Sequence, residues 1–179
     1  MSAAEDDAPV ASGAPLEPVA PGSGAWLADR WREAWVAGTP EAFGECCSVE
    51  IFYEDPLAIE PREGLGELAE HAARLRTALP DLRIEGVGEA VIDGRNGCLP
   101  WRLVGTHRCD VGEVPATGRF VTLPGVHYVA LVDGRVRRAR GFFDLYDAAG
   151  QLGLLPARGG LGETALLLLR GFGLRRRPT

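Results

Sequence analysis

The sequence predicts an α+β domain in which N-terminal helices cover one face of a curved, cone-shaped antiparallel or mixed sheet. Two observations indicate this class. Apolar residues recur at helical spacing up to residue 79, and four later segments follow the period of two that is typical of strands. Turn dipeptides separate these segments: Asp93-Gly94, Asn96-Gly97, Thr117-Gly118 and Asp133-Gly134. A sheet curled around its helices forms a cone whose open mouth is a pocket.

The first two helices can be bounded from their residues. The first begins near residue 25, where Trp31 and Trp35 share an apolar face, and Gly38 is a natural stop. Thr39 is the expected N-cap of a second short helix, with Pro40 as its first residue.

A first strand and a third helix follow. The strand, IFYEDP, is rich in β-forming residues and is closed by Pro56, and the helix spans about 64 to 79 and ends at Pro80. The remaining strand-like segments are 82–92, 98–110, 119–132 and 135–146.

The 179 residues suit one domain with tails. Residues 1–24 are rich in proline and acidic residues and contain no aromatic residue, so we expect a disordered leader. Residues 25–156 form the predicted domain. Residues 157–179 are predicted to form a short helix and a basic tail, which ends in Arg175, Arg176 and Arg177.

Charge excludes some partners. The formal net charge of -6 disfavours nucleic acid, because phosphate contacts need a concentrated basic surface. No apolar run is long enough for a membrane span. The composition agrees better with a neutral, hydrophobic small molecule as the partner.

The four cysteines, at positions 46, 47, 98 and 109, have no zinc-site spacing, so we expect no metal. We interpret them as reduced apolar residues of a cytoplasmic protein.

Asp144 is the first candidate for catalysis, because it stands among aromatic residues in RGFFDLYD. A carboxylate there must be exposed, be paired or hold its proton at unusual pH. If 135–146 is a strand, then Arg138, Arg140, Phe142 and Asp144 share one face, which would line the pocket. The alternative is that Asp144 caps a helix beginning at Leu145.

The strand 98–110 divides further candidates between its two faces. Trp101 and His107 fall on one face with small and apolar residues, whereas Arg108 and Asp110 fall on the other. Without a bulge these two groups cannot point into the same pocket. We expect His107 to point inward, and Arg108 and Asp110 to form an exposed ion pair.

Other candidates lie on neighbouring strands. Tyr53 and Asp55 share a face, so a phenol and a carboxylate would enter the cavity together, unless Asp55 only caps the turn at Pro56. His127 could be a pocket donor or a hydrogen-bonded core residue. We expect four aromatic side chains to form pocket walls: Trp101, Tyr128, Phe142 and Phe143.

Two motifs resemble the SnoaL-like polyketide cyclases of the nuclear transport factor 2-like superfamily, also known as the cystatin-like α+β barrel. They are GTHRCDVGEVPATGR at 105–119 and DGRVRRARGFFDLYDAAGQLG at 133–153. The resemblance covers about residues 25–156. It implies that Asp144 is the general acid/base and that His107 lines the pocket.

The chain also resembles limonene epoxide hydrolase, which has the same fold. In that resemblance Arg108 and Asp110 stand two residues apart before Thr117-Gly118-Arg119, FFDL carries Asp144, and Tyr53 matches a tyrosine. Asp55 stands where the hydrolase has an asparagine, and an ionised aspartate only accepts hydrogen bonds.

Three functions follow as hypotheses. The first is a cofactor-independent cyclase or isomerase of secondary metabolism, which closes or rearranges a ring of a hydrophobic polyketide-like substrate by acid/base catalysis. The second is epoxide opening by Arg108, Asp110 and Asp144. The third is a ligand-binding module without catalysis. A homodimer through the outer sheet face is common in the superfamily.

Overall fold

Four helices and seven strands form from residues 23–58, 60–110, 114–156, 159–162 and 164–165, the part of the chain that the computed structural model describes. The helices are α1 (Gly24–Ala37), α2 (Pro40–Cys46), α3 (Gly64–Ala78) and α4 (Leu145–Leu152). The strands are β1 (Cys47–Glu54), β2 (Arg62–Glu63), β3 (Arg83–Gly86), β4 (Val91–Ile92), β5 (Asn96–Thr106), β6 (Phe120–Val132) and β7 (Arg135–Phe143). Most of the predicted leader and the arginine-rich tail lie outside the described residues.

The strands form one curved, unclosed mixed sheet in the order β2-β1-β7-β6-β5-β3, with β4 also paired to β5. β1 and β7 run parallel, and the other pairs are antiparallel. The predicted α+β class is therefore confirmed. Within the described residues, no helix is long and apolar enough to cross a bilayer.

Local signals set the first helices as predicted. Gly38 ends α1 in the left-handed conformation, at φ 64°, where its N–H donates to the carbonyl of Ala34. The Thr39 hydroxyl caps α2 by accepting the N–H of Ala42, and Pro40 is the first residue of that helix.

The core consists of two apolar clusters. The larger lies between α1, α2, α3 and the sheet, and includes the fully buried Trp31, Phe43, Ile51 and Val129. Each such side chain contributes roughly 1.5–3 kcal/mol when it leaves water. The smaller cluster lies between the end of α3, β5, β6 and α4, and it surrounds the cavity described below.

Several predicted boundaries are wrong. Segment 82–92 forms two short strands, β3 and β4, instead of one. Asn96-Gly97 is not a turn but begins β5, because the Asp93 carboxylate accepts the N–H groups of Arg95 and Asn96 and closes the turn earlier. The hairpin at Asp133-Gly134 forms as predicted, with φ of 51° and 74° at its two residues.

The predicted face of the last strand is also wrong. Leu131 pairs with Val136 and Ala130 pairs with Arg138, so Arg137 is an extra residue in β7. Beyond this bulge Ala139 and Gly141 point inward, whereas Arg138, Arg140 and Phe142 lie on the outer face. The strand ends at Phe143, and Asp144 begins α4 as its N-cap.

Candidate active site

A cavity of about 570 Å³ lies between the sheet, the C-terminal half of α3 and α4. Its walls are almost entirely apolar. Among the described residues that line it, only His107 and Tyr146 carry a polar side-chain atom. The apolar lining includes Leu57, Leu75, Leu79, Leu103, Leu123, Phe143 and Leu152. A site of this size and character fits a hydrophobic small molecule.

His107 reaches the cavity because the period of two is unbroken along this edge of β5. Trp101, Leu103 and His107 are buried on the inner face, as predicted. Gly105 lies between them, and a Cβ atom there would come within 3.1 Å of Leu79 Cβ, so glycine lets the end of α3 approach the strand.

The hydrogen bonds of His107 define its neutral form. Only 3% of the residue is exposed, and Nδ1 accepts the backbone N–H of Thr117 over 3.2 Å. The ring proton of neutral His107 therefore resides on Nε2. Nε2 makes no hydrogen bond to any described residue, so Nε2–H is the donor that the ring can offer to a ligand.

Asp144 occupies the boundary between β7 and α4. Its carboxylate accepts the N–H of Asp147 over 2.9 Å, which is the capping geometry weighed as the alternative role. The side chain is half-buried and is not part of the cavity wall, although Phe143, Leu145 and Tyr146 beside it are. Asp144 thus lies at the cavity edge and not on the pocket-facing strand that was predicted.

Arg108 and Asp110 follow the end of β5, and both are exposed. The Asp110 carboxylate accepts the N–H of Ala116, and the backbone N–H of Arg108 donates to the carbonyl of Ala78. Neither side chain belongs to the cavity wall. The structure therefore does not bring them together with Asp144 in the cavity, as epoxide opening would require, and the predicted pairing of Arg108 with Asp110 is not among the ion pairs of the described residues.

The remaining predicted wall residues divide between the two faces. Tyr128 and Phe142 lie on the outer sheet face, where 45% and 48% of each residue is exposed, and neither lines the apolar cavity. Phe142 instead lines a separate pocket of about 250 Å³ with Arg140 and Asp55. Arg140 lies on the same face, with its guanidinium 5.4 Å from the Phe142 ring centroid. Trp101 points inward but does not line the cavity itself; its ring packs 5.9 Å from that of Phe143, which does.

Behind the cavity, a buried polar network joins α1, β6, β1 and α3. Trp31 Nε1 donates to His127 Nδ1 over 3.1 Å, and His127 Nε2 lies 3.2 Å from the Tyr53 hydroxyl. That hydroxyl donates to Asp55 Oδ2 over 2.8 Å, and His71 Nε2 lies 2.8 Å from the same oxygen. Tyr53 and Asp55 are therefore adjacent, as predicted, and His127 is a hydrogen-bonded core residue.

Burial and hydrogen bonding determine the charges in this network. Burial raises the pKa of Asp55, but hydrogen bonds from His71, Tyr53 and the Ala58 amide outweigh it, and the pKa lies below its ordinary value. Burial lowers the pKa of His127 to about 3, and the charge of Asp55 acts in the opposite direction. Burial, together with the charge of Asp55, raises the pKa of Tyr53 well above its usual range. Asp55 is thus an ionised acceptor and His127 a neutral ring.

His71 is the residue of this network that sequence reasoning missed. It follows Leu68 and precedes Leu75 on the apolar face of α3, where a lone histidine looks like any core residue. The signal that could have found it was the carboxylate of Asp55, which is buried after β1 and needs a donor.

The helix-covered, curved mixed sheet with an apolar cavity defines the class of nuclear transport factor 2-like proteins. The sequence profile of the family described as "SnoaL-like polyketide cyclase" matches residues 25–152. The chain belongs to this family.

Solved structures show the same fold. A candidate SnoaL-like polyketide cyclase from Jannaschia sp. CCS1 is 23% identical with a TM-score of 0.66, and the match covers 80% of this chain and 100% of that one. IdmH, a candidate polyketide cyclase from Streptomyces antibioticus, is 20% identical with a TM-score of 0.62, covering 73% and 98%. AclR from Streptomyces galilaeus, a candidate hydroxylase, is 19% identical with a TM-score of 0.60, covering 84% and 95%. No curated protein matches the chain significantly.

Proposed function

We propose that the protein is a cofactor-independent cyclase or isomerase that closes or rearranges a ring of a hydrophobic, polyketide-like molecule. The observation that carries this proposal is the apolar cavity of about 570 Å³ with the imidazole of His107 in its wall. Family membership supports the cyclase or isomerase role. The cavity chemistry supports a substrate that is mostly hydrocarbon and has few polar groups.

His107 acts on a carbonyl oxygen of the substrate. A neutral imidazole with its proton on Nε2 donates a hydrogen bond to this oxygen and stabilises the enolate that forms there. Thr117 holds the ring in this tautomer through the bond from its N–H to Nδ1. Such a donor is effective in an apolar cavity, because little water competes for the oxygen.

Asp144 acts as the base, as the family resemblance implies. Its carboxylate removes the proton next to the carbonyl, and the resulting carbon nucleophile attacks a second carbonyl of the same chain. The proton then goes to the new alkoxide, so that one carbon–carbon bond forms and no electrons leave the substrate. The position of Asp144 between the cavity-lining Phe143 and Leu145 supports this role.

Tyr53 and Asp55 are less suited to proton transfer with the substrate. Asp55 already accepts hydrogen bonds from Tyr53, His71, Leu57 and Ala58, and its low pKa makes it a weak base. We therefore assign these two residues to the support of the cavity.

A second candidate function is ligand binding without catalysis. The capping bond of Asp144 favours it, because a carboxylate that only ends β7 and begins α4 needs no catalytic role. Loss of proton transfer in Asp144→Asn with unchanged ligand binding separates the two functions.

The outer sheet face supports a homodimer. Tyr128 and Phe142 are exposed there beside Arg138 and Arg140, and Phe120 is exposed at the start of β6. Aromatic residues and arginine are enriched at protein interfaces, so we propose that two copies pair through this face.

Enolisation of a model ketone tests the proposed chemistry. 2-Tetralone is an apolar aromatic ketone, and proton NMR follows the exchange of its acidic hydrogens for deuterium. We expect the wild-type protein to accelerate this exchange, and Asp144→Asn and His107→Asn each to reduce the acceleration about 100-fold. Asp110→Asn is the matched control and keeps the wild-type rate. Equal exchange rates in all four proteins contradict the proposal.

A further inference from the structure

We propose that His71 is a positioning residue that acts with Asp55 as a latch between α3 and the β1–β2 loop, holding two walls of the apolar cavity in place. This inference rests on the proposed function, because it assigns a role at the same cavity. It concerns how the binding site is held open to its ligand, and not the chemical step.

The first half of the latch is the contact between helix and loop. Asp55 follows the last residue of β1, and His71 lies in the middle of α3. Their side chains are 2% and 6% exposed, and His71 Nε2 is 2.8 Å from Asp55 Oδ2. Because an ionised carboxylate only accepts hydrogen bonds, Nε2 is the donor. Breaking a buried, charge-assisted bond of this kind is costly, so the two elements are held together.

The second half of the latch is the turn after Asp55. The other carboxylate oxygen, Oδ1, accepts the backbone N–H groups of Leu57 over 2.7 Å and of Ala58 over 2.8 Å. These bonds fix the direction in which the chain leaves β1. Leu57 lies in this turn, and its side chain lines the cavity. One carboxylate therefore binds α3 with one oxygen and sets the position of a cavity wall with the other.

Helix α3 supplies the cavity wall on the other side of the latch from Leu57. Leu75 lies one turn after His71 on the same face of α3, and it lines the cavity together with Ala78 and Leu79. A shift of α3 relative to the loop would therefore change the distance between Leu75 and Leu57. The latch fixes this distance.

Gly141 makes the close approach possible. A Cβ atom at this position in β7 would lie 2.8 Å from the Tyr53 hydroxyl and 3.0 Å from Asp55 Cβ. A residue with a side chain would push the end of β1 away from β7 and displace Asp55. The sheet thus provides space for the latch where β1 and β7 run side by side.

The latch is tested with N-phenyl-1-naphthylamine, a neutral apolar fluorophore, titrated into the full-length chain. We expect His71→Leu to bind the fluorophore about tenfold more weakly. Loss of a charge-assisted hydrogen bond changes an equilibrium constant by about that factor or more. His71→Gln keeps a side-chain N–H donor, and we expect it to restore binding to within about threefold of the wild type.

The matched control is Val129→Ala, which lowers stability through a buried residue of the larger core cluster that does not line the cavity. We expect this variant to bind the fluorophore as the wild type does. Equal weakening in His71→Leu and Val129→Ala, or failure of His71→Gln to restore binding, would overturn the latch. If His71→Leu does not fold, Asp55→Asn replaces it, and wild-type affinity in that variant would also overturn the latch.

Two additional measurements distinguish failure of the latch from failure of the proposed function. Ala149→Trp fills the cavity from α4 and should abolish binding; if it does not, or if the wild type does not bind, the proposed ligand site is wrong. Amide hydrogen exchange then tests the latch independently of ligand binding. We expect the Leu57 and Ala58 amides to exchange faster in His71→Leu than in Val129→Ala, and unchanged exchange would overturn the latch.

Discussion

Trp31 Nε1 donates a hydrogen bond to His127 Nδ1 over 3.1 Å, and this contact defines the tautomer of the buried histidine. Because the indole is only a donor, Nδ1 is the acceptor and the ring proton lies on Nε2, next to the Tyr53 hydroxyl. The Tyr53 hydroxyl in turn donates to Asp55. The protons between Trp31 and Asp55 thus have defined positions, and a charged His127 does not fit.

Stability should therefore fall as the pH falls. Burial lowers the pKa of His127 from 6.5 to about 3, so between these values the unfolded chain binds a proton that the folded chain does not. The resulting slope is at most about 1.4 kcal/mol per pH unit, or about 2 kcal/mol between pH 6.5 and pH 5. Urea unfolding at several pH values measures it. His127→Gln should show a smaller slope, and an unchanged slope would contradict the assignment.

Gln151 should hold α4 against the sheet. Its side-chain amide accepts the N–H of Thr122 and donates to the Thr122 carbonyl, each over 2.8 Å, as a neighbouring strand would. Gln151→Ala should destabilise the protein by about 1 kcal/mol, since these bonds are partly exposed. Gln151→Glu should cost more at neutral pH than at pH 4, because its carboxylate would lie near Asp147. Chemical denaturation at both pH values measures the difference, and equal costs would contradict the predicted repulsion.

Gly141 should tolerate no side chain. Gly141→Ala places a methyl group 2.8 Å from the Tyr53 hydroxyl and should cost about 1–3 kcal/mol. Gly66→Ala is the control, because Gly66 is exposed on α3 with no neighbouring atom within 4 Å, and alanine should stabilise the helix by about 0.5–1 kcal/mol. Thermal unfolding compares the two. Wild-type stability in Gly141→Ala would contradict this prediction, because it would show that β1 and β7 can move apart at little cost.

Asp147→Asn should leave both unfolding and enolisation close to wild type. Asp147 lies in the first turn of α4 and donates to the Asp144 cap through its backbone N–H, which asparagine retains. Asp144→Ala, by comparison, removes the cap and should cost about 1 kcal/mol in addition to its effect on exchange. Circular dichroism and the 2-tetralone assay measure the two effects separately. Equal behaviour of the two variants would contradict the assignment of Asp144.

The sequence was informative where structure is local and periodic. Gly38 and the pair Thr39-Pro40 set helix ends through contacts within a few residues, and unbroken alternation along β5 turned His107 inward. The sequence was less informative where long-range pairing decides. The bulge at Arg137 reverses the alternation in β7, and it depends on pairing with β6 that no local pattern reveals.

The polar network shows the same limit. Tyr53 and Asp55 were found because they are two residues apart on one strand. His71 was missed because its partner, Asp55, is 16 residues away and lies on a different element. Asp144 was ambiguous, since an aspartate that follows a strand and precedes a helix satisfies both patterns.

The most direct test of the account is a nitrogen NMR titration of the His107 imidazole with 2-tetralone. We predict that the proton of free, neutral His107 lies on Nε2 and that the ketone shifts the Nε2–H resonance while Nδ1, which accepts the Thr117 N–H, changes little. A ketone that binds without altering Nε2–H, or a ring whose proton lies on Nδ1, would contradict the central claim that His107 is the carbonyl donor of the cavity.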